Sequence, residues 1–423
     1  MQTLRWLVGD DGDILTERQF QLLLLTNVMA PLGTALLSPV LDSLIEPFGA
    51  SPASIGLMVS AFTAPAIFLI PVTGMIADRY GRRPVLLFGL LCFGSAGTAI
   101  ALTTDFRIVL TLRLFQGLGF AALSPIVITS IGDLYEGSKE ATGQGLRFTG
   151  SGVVQTVFPL AAGVLVVMAW QYPFLLHLIA FPIALAVYLW FEEPVDSERV
   201  EEDSKTDDEK RDLDEQLDQI RGLIVQRRVA AMLAARGTPN IVFIGFLTYN
   251  SILVVEVLGG TPAQAGVLAA LGSISYAGSA SQAGRITARF ESRLYPLIAM
   301  NVALAAGITV VFLAPTIWVA YGGIVVKGIG FGVLLSIYRS IVTDLAPPKL
   351  RGGLVGIAES MGRLASTLTP IAMGAGIAVG TPLIGFTASI QFVGVATGIV
   401  AASVGIVCLL VLSSAPPVRA PTA

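Results

Sequence analysis

The sequence predicts an all-α integral membrane protein of twelve transmembrane helices in two pseudo-symmetric six-helix bundles. Three observations carry this expectation. Windows of 20 or more apolar residues recur about twelve times along the 423 residues, each long enough for a hydrocarbon core of ~30 Å. Lys and Arg gather on one side of the topology those windows imply. The first half of the chain also recurs in the second at a near-constant offset.

Residues 1–19 are polar and acidic through Asp10, Asp11 and Asp13. They read as a cytoplasmic amino-terminal segment, and the apolar run that follows is too long for a cleavable signal core. Spans are expected at 20–41, 54–76, 84–103, 107–131, 145–168 and 172–191, forming an amino-terminal bundle over 20–191. A second set at 239–258, 264–287, 294–314, 317–341, 353–378 and 386–412 forms a carboxy-terminal bundle over 238–413. Hydrophobic residues make up 54% of the chain and charged ones 13%, well outside the range of soluble domains. Chains this apolar satisfy their backbone groups in lipid by forming helices.

A central linker, 192–237, separates the bundles, and a tail, 414–423, closes the chain. The linker holds 14 acidic and 8 basic residues, against a net charge of −3 for the whole chain. Its first part, to Lys210, reads as a solvated connector. Beyond it Leu213, Leu217, Ile220 and Ile224 recur at helical spacing beside Arg221, Arg227 and Arg228. That pattern suits an amphipathic helix on the membrane surface, with a plain connector as the alternative. Of 26 Lys and Arg, 22 belong with the termini and the even-numbered loops, counting Arg147, Arg285 and Arg339 at the span ends beside them. The positive-inside rule then places both termini in the cytoplasm, as in a multi-pass plasma-membrane protein. No basic cluster points to nucleic acid. Cys92 and Cys408 fall in apolar segments and read as small core residues.

The halves repeat. An offset of 211 carries Gly117 onto Gly328, Gly119 onto Gly330, Phe120 onto Phe331, Asp133 onto Asp344, Gly145 onto Gly356, Pro159 onto Pro370 and Gly163 onto Gly374. An offset of 210 carries Gly74 onto Gly284, Arg79 onto Arg289 and Arg83 onto Arg293. Parallel repeats with a solute site near the midplane are a known transporter architecture.

Between the second and third spans runs Gly74-Met-Ile-Ala-Asp78-Arg79-Tyr-Gly81-Arg82-Arg83-Pro84. Gly74 would let two helices approach closely, Gly81 permits a tight turn, and Asp78 can accept from an arginine or a helix amino terminus. This run closely resembles the signature loop of the major facilitator superfamily of transporters. The resemblance implies a secondary transporter in which this loop pairs with neighbouring helix ends and stabilises the outward-facing state. Asp133 is the expected partner of Arg79 or Arg82. In the second half Ala288 stands where Asp78 would and Glu291 where Gly81 would, so the first half is expected to carry more of the gating.

In the fourth span, Arg113-Leu-Phe-Gln116-Gly117 is similar to the family's Arg-x-x-Gln-Gly pattern, which implies a link to proton transfer. An intramembrane arginine needs a partner or a wet cavity; the alternative is snorkelling to the nearer surface. In the fifth span Phe158-Pro159-Leu-Ala-Ala162-Gly163 departs from the family's antiporter pattern at Phe158 and Ala162. Pro159 and its repeat mate Pro370 are candidate helix hinges. Glu359 is the acid set well inside a span; Glu359 and Arg363 share a helix face and can pair. Lys327 and Arg363 could bind an anionic group with Glu359 as a proton-sensitive counter-ion, or form a structural ion pair. The resemblance implies a cavity lined by eight of the helices, which makes Asn27, Gln155, Tyr249, Asn250, Tyr276, Gln282 and Tyr338 polar candidates. His177, the sole histidine, reads as packing.

No enzyme is expected, since there is no His/Cys metal cluster, nucleophile elbow or nucleotide-binding loop; no cofactor is expected either. The expected function is export of small amphipathic compounds by alternating access, with proton coupling, by a monomer in the lipid bilayer. Uptake or facilitated diffusion of a small organic anion is the alternative, and a non-transporting membrane sensor is the alternative of another class.

Overall fold

A computed structural model of the chain describes residues 10–193, 219, 221–290, 292–345 and 350–414. Most of the central linker, including Leu213, Leu217 and Ile220, lies outside the described residues, as do Glu291 and the tail beyond 414.

Helices dominate the described chain. They are α1 (Arg18–Asn27), α2 (Met29–Ala35), α3 (Leu57–Tyr80), α4 (Arg82–Ala99), α5 (Phe106–Leu134), α6 (Gly137–Met168), α7 (Tyr172–Leu175) and α8 (Ala180–Trp190) in the first half. The second half contributes α9 (Arg227–Ile252), α10 (Pro262–Thr287), α11 (Leu294–Phe312), α12 (Ile317–Leu345), α13 (Arg351–Ile384) and α14 (Phe386–Ser414). Local sequence sets several of the starts. The Asp105 carboxylate accepts from the backbone N–H groups of Arg107 (2.8 Å) and Ile108 (3.4 Å), capping α5. Thr261 and Gln264 form a capping box ahead of α10, which satisfies two orphan donors reciprocally.

Nine helical stretches among the described residues are long and apolar enough to cross a membrane, or ten with the pair Leu57–Ile70 and Val72–Tyr80, bent by 56°. The bend falls at Pro71, where the missing N–H breaks the helical ladder. Two of the twelve expected spans depart from a plain apolar helix. The first divides into α1 and α2, followed by turns through Leu41. The eighth, α10, is a full-length helix, but its Gly, Ser and Gln content lowers its hydropathy.

The seventh span is a correction. It was expected at 239–258, with 192–237 as linker, yet α9 begins at Arg227 and runs through Pro239. Val229-Ala-Ala-Met-Leu-Ala-Ala235 is an apolar run of mostly strong helix formers. Arg236, Gly237 and Pro239 disguise it as a break.

The chain forms two compact units, Met1–Ala50 with Leu57–Ser204, and Ser51–Gly56 with Lys205–Ala423. In the first, α5 packs against α3 and α4; in the second, α12 packs against α10 and α11. The glycines of the repeat explain both contacts. A methyl group at Gly117 would overlap the Phe62 backbone on α3, and one at Gly119 the backbone of Gly89 and Phe93 on α4. In the second unit, a methyl at Gly328 would overlap Gly272 and Ser275 on α10, and one at Gly330 would overlap Met300 and Leu304 on α11. Backbone-to-backbone approach of this kind is how helices associate where lipid removes the hydrophobic drive. The repeat is thus a repeat of packing, with Gly89 and Phe93 standing 211 positions before Met300 and Leu304.

Candidate functional site

Four polar clusters interrupt the apolar interiors. The first gathers the signature loop. Arg82, 8% exposed, donates through Nη1 to Asp78 Oδ1 and through Nε to Asp133 Oδ2 at 3.1 Å. Of the two arginines expected to meet Asp133, Arg82 makes the contact; Arg79 instead lies over the ring of Tyr80 at 5.5 Å. The Arg83 guanidinium donates to the Tyr188 carbonyl oxygen and lies 5.3 Å from the Tyr188 ring.

Sequence reasoning missed Glu193, which it counted as linker charge. Its carboxylate accepts from the backbone N–H groups of Arg82 (2.7 Å) and Arg83 (2.5 Å), the first two residues of α4. A carboxylate there satisfies orphan donors and meets the positive end of the helix dipole. Gly81, with φ +94°, turns the chain directly beneath it, and a methyl on Gly81 would collide with that carboxylate. Gly81→Ala is therefore expected to lose about 1–3 kcal/mol to backbone strain alone, since φ +94° with ψ 159° is a conformation open essentially to glycine only, read as a lower midpoint in thermal unfolding. An unchanged midpoint would show that the turn relaxes freely. The close approach expected of Gly74 is corrected, because nothing lies within 4 Å of a methyl built there.

The second unit keeps part of this arrangement. Arg293 Nη1 pairs with Asp344 Oδ2 at 3.1 Å, the same separation as Arg82 and Asp133. The pairing equates Arg293 with Arg82, at the offset of 211 that also relates the aspartates, and not with Arg83 as the offset of 210 suggested.

The second cluster surrounds Arg113, which is fully buried and does not snorkel. Its Nη1 donates to the Gly33 carbonyl oxygen (3.2 Å) and to Gln116 Oε1 (2.6 Å), and its guanidinium lies 5.8 Å from the Phe62 ring. Arg113 Nε and Nη2 make no hydrogen bond among the described residues, nor does Gln116 Nε2. His177 closes this cluster from above Gly97, where a methyl would strike both Gln116 and the imidazole. Its Nδ1 is 2.9 Å from the Phe174 carbonyl oxygen, and its ring packs on Phe93 and Phe174.

The third cluster holds Lys327, 2% exposed. Its Nζ lies 4.7 Å from the centroid of Phe243, 5.0 Å from Phe246 and 5.3 Å from Phe331. Phe243 and Phe331 stack at 4.8 Å, and Tyr276 meets Phe331 edge-on at 5.2 Å. The phenylalanines carried no sequence signal, being apolar residues in apolar spans.

In the fourth cluster Glu359 meets arginines of two other helices. Its Oε1 accepts from Arg236 Nη2 at 2.9 Å and from Arg339 Nη2 at 3.1 Å. Arg236, 4% exposed, was assigned to the linker; the early start of α9 carries it into the bundle. Arg363 sits one turn along α13 from Glu359.

The Major Facilitator Superfamily model matches residues 23–370 and 241–423. The chain belongs to the Major Facilitator Superfamily. It is a multi-pass membrane transporter and not an enzyme. Among its relatives, the bacillibactin exporter of Bacillus subtilis is 31% identical over 150 residues, 34% of this chain and 37% of that protein. The matched stretch thus spans little more than a third of that relative. The class H tetracycline resistance protein of Pasteurella multocida is 21% identical over 366 residues, covering 81% of this chain and 85% of the relative. The fold resembles the crystal structure of a bacterial homologue of the human lysosomal transporter Spinster, at TM-score 0.78 and 17% identity, over 95% of this chain and 98% of that one. A D-xylose–proton symporter follows at TM-score 0.74 and 16% identity, over 96% and 99%.

Among the remaining candidates of this superfamily member, Asn27 and Asn250 join helices. Asn27 Nδ2 donates to the Arg147 carbonyl oxygen (3.1 Å) and Ser151 Oγ (2.8 Å), tying α1 to α6. Asn250 Nδ2 donates to the Ala265 carbonyl oxygen at 2.9 Å, tying α9 to α10. Tyr249 and Tyr338 are fully buried, Gln155 is half-buried and Gln282 is exposed. Pro159 and Pro370 lie inside α6 and α13, both of which continue past them.

Proposed function

We propose that this transporter exports small amphipathic compounds across the plasma membrane by alternating access, driven by protons, with both termini cytoplasmic. The observation that carries this reading is Arg113, sunk in α5 within the Arg-x-x-Gln-Gly pattern and tied to Gln116. An intramembrane charge held this deep is functional by default, and the family links the pattern to proton transfer. The names of the bacillibactin exporter and the tetracycline resistance protein point the same way. Arg82, Asp78 and Asp133 form the contact that opens and closes as the halves rock, supported by Arg83, Glu193 and the turn at Gly81. Arg113, Gln116, Lys327, Glu359 and Arg363 are the buried charged and polar groups on which solute and proton act.

Reconstituted vesicles test this reading. An imposed pH gradient is expected to drive movement of an amphipathic dye, and collapse of the gradient is expected to stop it. Movement of small organic anions alone would favour the uptake alternative built on Lys327 and Arg363. Ligand binding without flux of any solute would make the protein a sensor.

A further inference from the structure

Lys327 is held differently from the arginines that anchor the other three clusters. Arg113 donates to the Gly33 carbonyl oxygen and to Gln116. Arg82, Arg293, Arg236 and Arg339 each meet a carboxylate. Lys327 meets none among the described residues, and no hydrogen-bond acceptor there takes its Nζ. Its charge is met by ring faces, at separations where a cation is attracted by the ring quadrupole. The offset of 211 equates it with Gln116, a neutral group, and equates Phe243 with Leu32, Phe246 with Ala35 and Phe331 with Phe120, so the repeat accounts for one ring but not for the ammonium.

Among the described residues, no ion pair or hydrogen bond joins Nζ to the charged and titratable groups of the packed elements. On α9, Arg236 pairs with Glu359, Tyr249 is buried and Glu256 lies near the far end, beyond Ile252. On α10, Tyr276 packs on Phe331, and Arg285, in the last turn, donates to Gln282. On α11, Tyr295 sits in the exposed first turn. On α13, Glu359 and Arg363 lie in the half where Arg339 docks. On α12 itself, Tyr338 meets Asn301, Asp344 meets Arg293 and Tyr321 faces the Gln264 carbonyl oxygen.

Rings that hold one cation will hold another. We infer that Phe243, Phe246 and Phe331 form an organic-cation subsite which the ammonium of Lys327 occupies when protonated and vacates when it gives up its proton. The exchange balances. One N–H bond of the ammonium breaks, its electron pair stays on Nζ, and the proton passes to water. The incoming cation then takes the place among the rings. One proton leaves for each monovalent cation bound, which couples transport to a proton gradient without a carboxylate. The inference rests on the export reading and gives it a substrate class, amphipathic organic cations.

Binding of tetraphenylphosphonium to the purified full chain between pH 6 and 9 tests the exchange. Displacing one proton per cation strengthens wild-type affinity about tenfold per pH unit while Lys327 is protonated. Lys327→Met is expected to bind at every pH as tightly as wild type binds at high pH. Phe243→Leu keeps the slope and weakens binding by about fivefold to thirtyfold. A wild-type affinity that ignores pH overturns the exchange, as does a Lys327→Met protein that keeps the wild-type slope. Should Lys327→Met not fold, the wild-type slope and the Phe243→Leu loss decide. Binding of benzoate in place of the cation overturns this inference and leaves export standing. Binding that behaves as described, without flux in vesicles, removes the export reading and leaves the subsite standing.

Discussion

Glu359→Gln is expected to destabilise the folded protein by about 2–4 kcal/mol, between the range for an exposed pair and that for a fully buried one. The intermediate range follows from geometry. Arg236 is 4% exposed on its side chain, but Glu359 is 39% and Arg339 46% exposed, so solvent screens part of the network. Removing the acid leaves Arg236 charged inside the bundle with its chief partner gone, and a buried charge stripped of its partner is what makes such losses large. Thermal unfolding of the purified protein reads the effect. Adding Arg236→Met to Glu359→Leu should recover most of the loss, because the orphaned charge goes too. A Glu359→Gln protein as stable as wild type would show that the carboxylate is not what holds Arg236.

Arg82→Met is the second large expectation, and it concerns rate more than stability. The guanidinium bridges Asp78 on α3 and Asp133 on α5, so its loss sets two aspartates free at once. In the proposed cycle this contact breaks and re-forms with each turnover. Removing it shifts the balance of access states by about 1–3 kcal/mol, or roughly 5–150-fold, and initial efflux rates should fall within that range. Arg79→Met is the matched control, expected within about twofold of wild type, since the described contact of Arg79 is the ring of its own neighbour. Equal rates for Arg82→Met and wild type, per folded protein, would end the gating assignment.

Much of the arrangement was legible before any coordinates. Asp133 was named as the partner of the signature loop because charges at helix ends seek opposite charges nearby. Arg113 was named because an arginine costs too much in a span to be incidental. Other residues were illegible for reasons that differ. Arg236 looked like a loop residue because Gly237 and Pro239 follow it, and propensity treats both as breakers. In the fold, packing within the bundle carries the helix through them. Glu193 looked like one acid among fourteen in the linker, since a cap to another helix far away in sequence leaves no local pattern. The pairing of Arg293 with Asp344 also settled a register that glycine and arginine matches had left split between 210 and 211.

Apolar windows, the placement of Lys and Arg, and the internal repeat determined the class of this protein by themselves. Each is a one-dimensional property: length against bilayer thickness, charge against topology, one half against the other. Which charges meet which partners was decided in three dimensions. Glu359 takes Arg236 and Arg339, and Lys327 lies among Phe243, Phe246 and Phe331 with no acid paired to it among the described residues. Those pairings depend on helix rotation and on backbone approach at glycines such as Gly117 and Gly328. A rotation of one helix by a fraction of a turn changes every partner while leaving each hydrophobic stretch as it was.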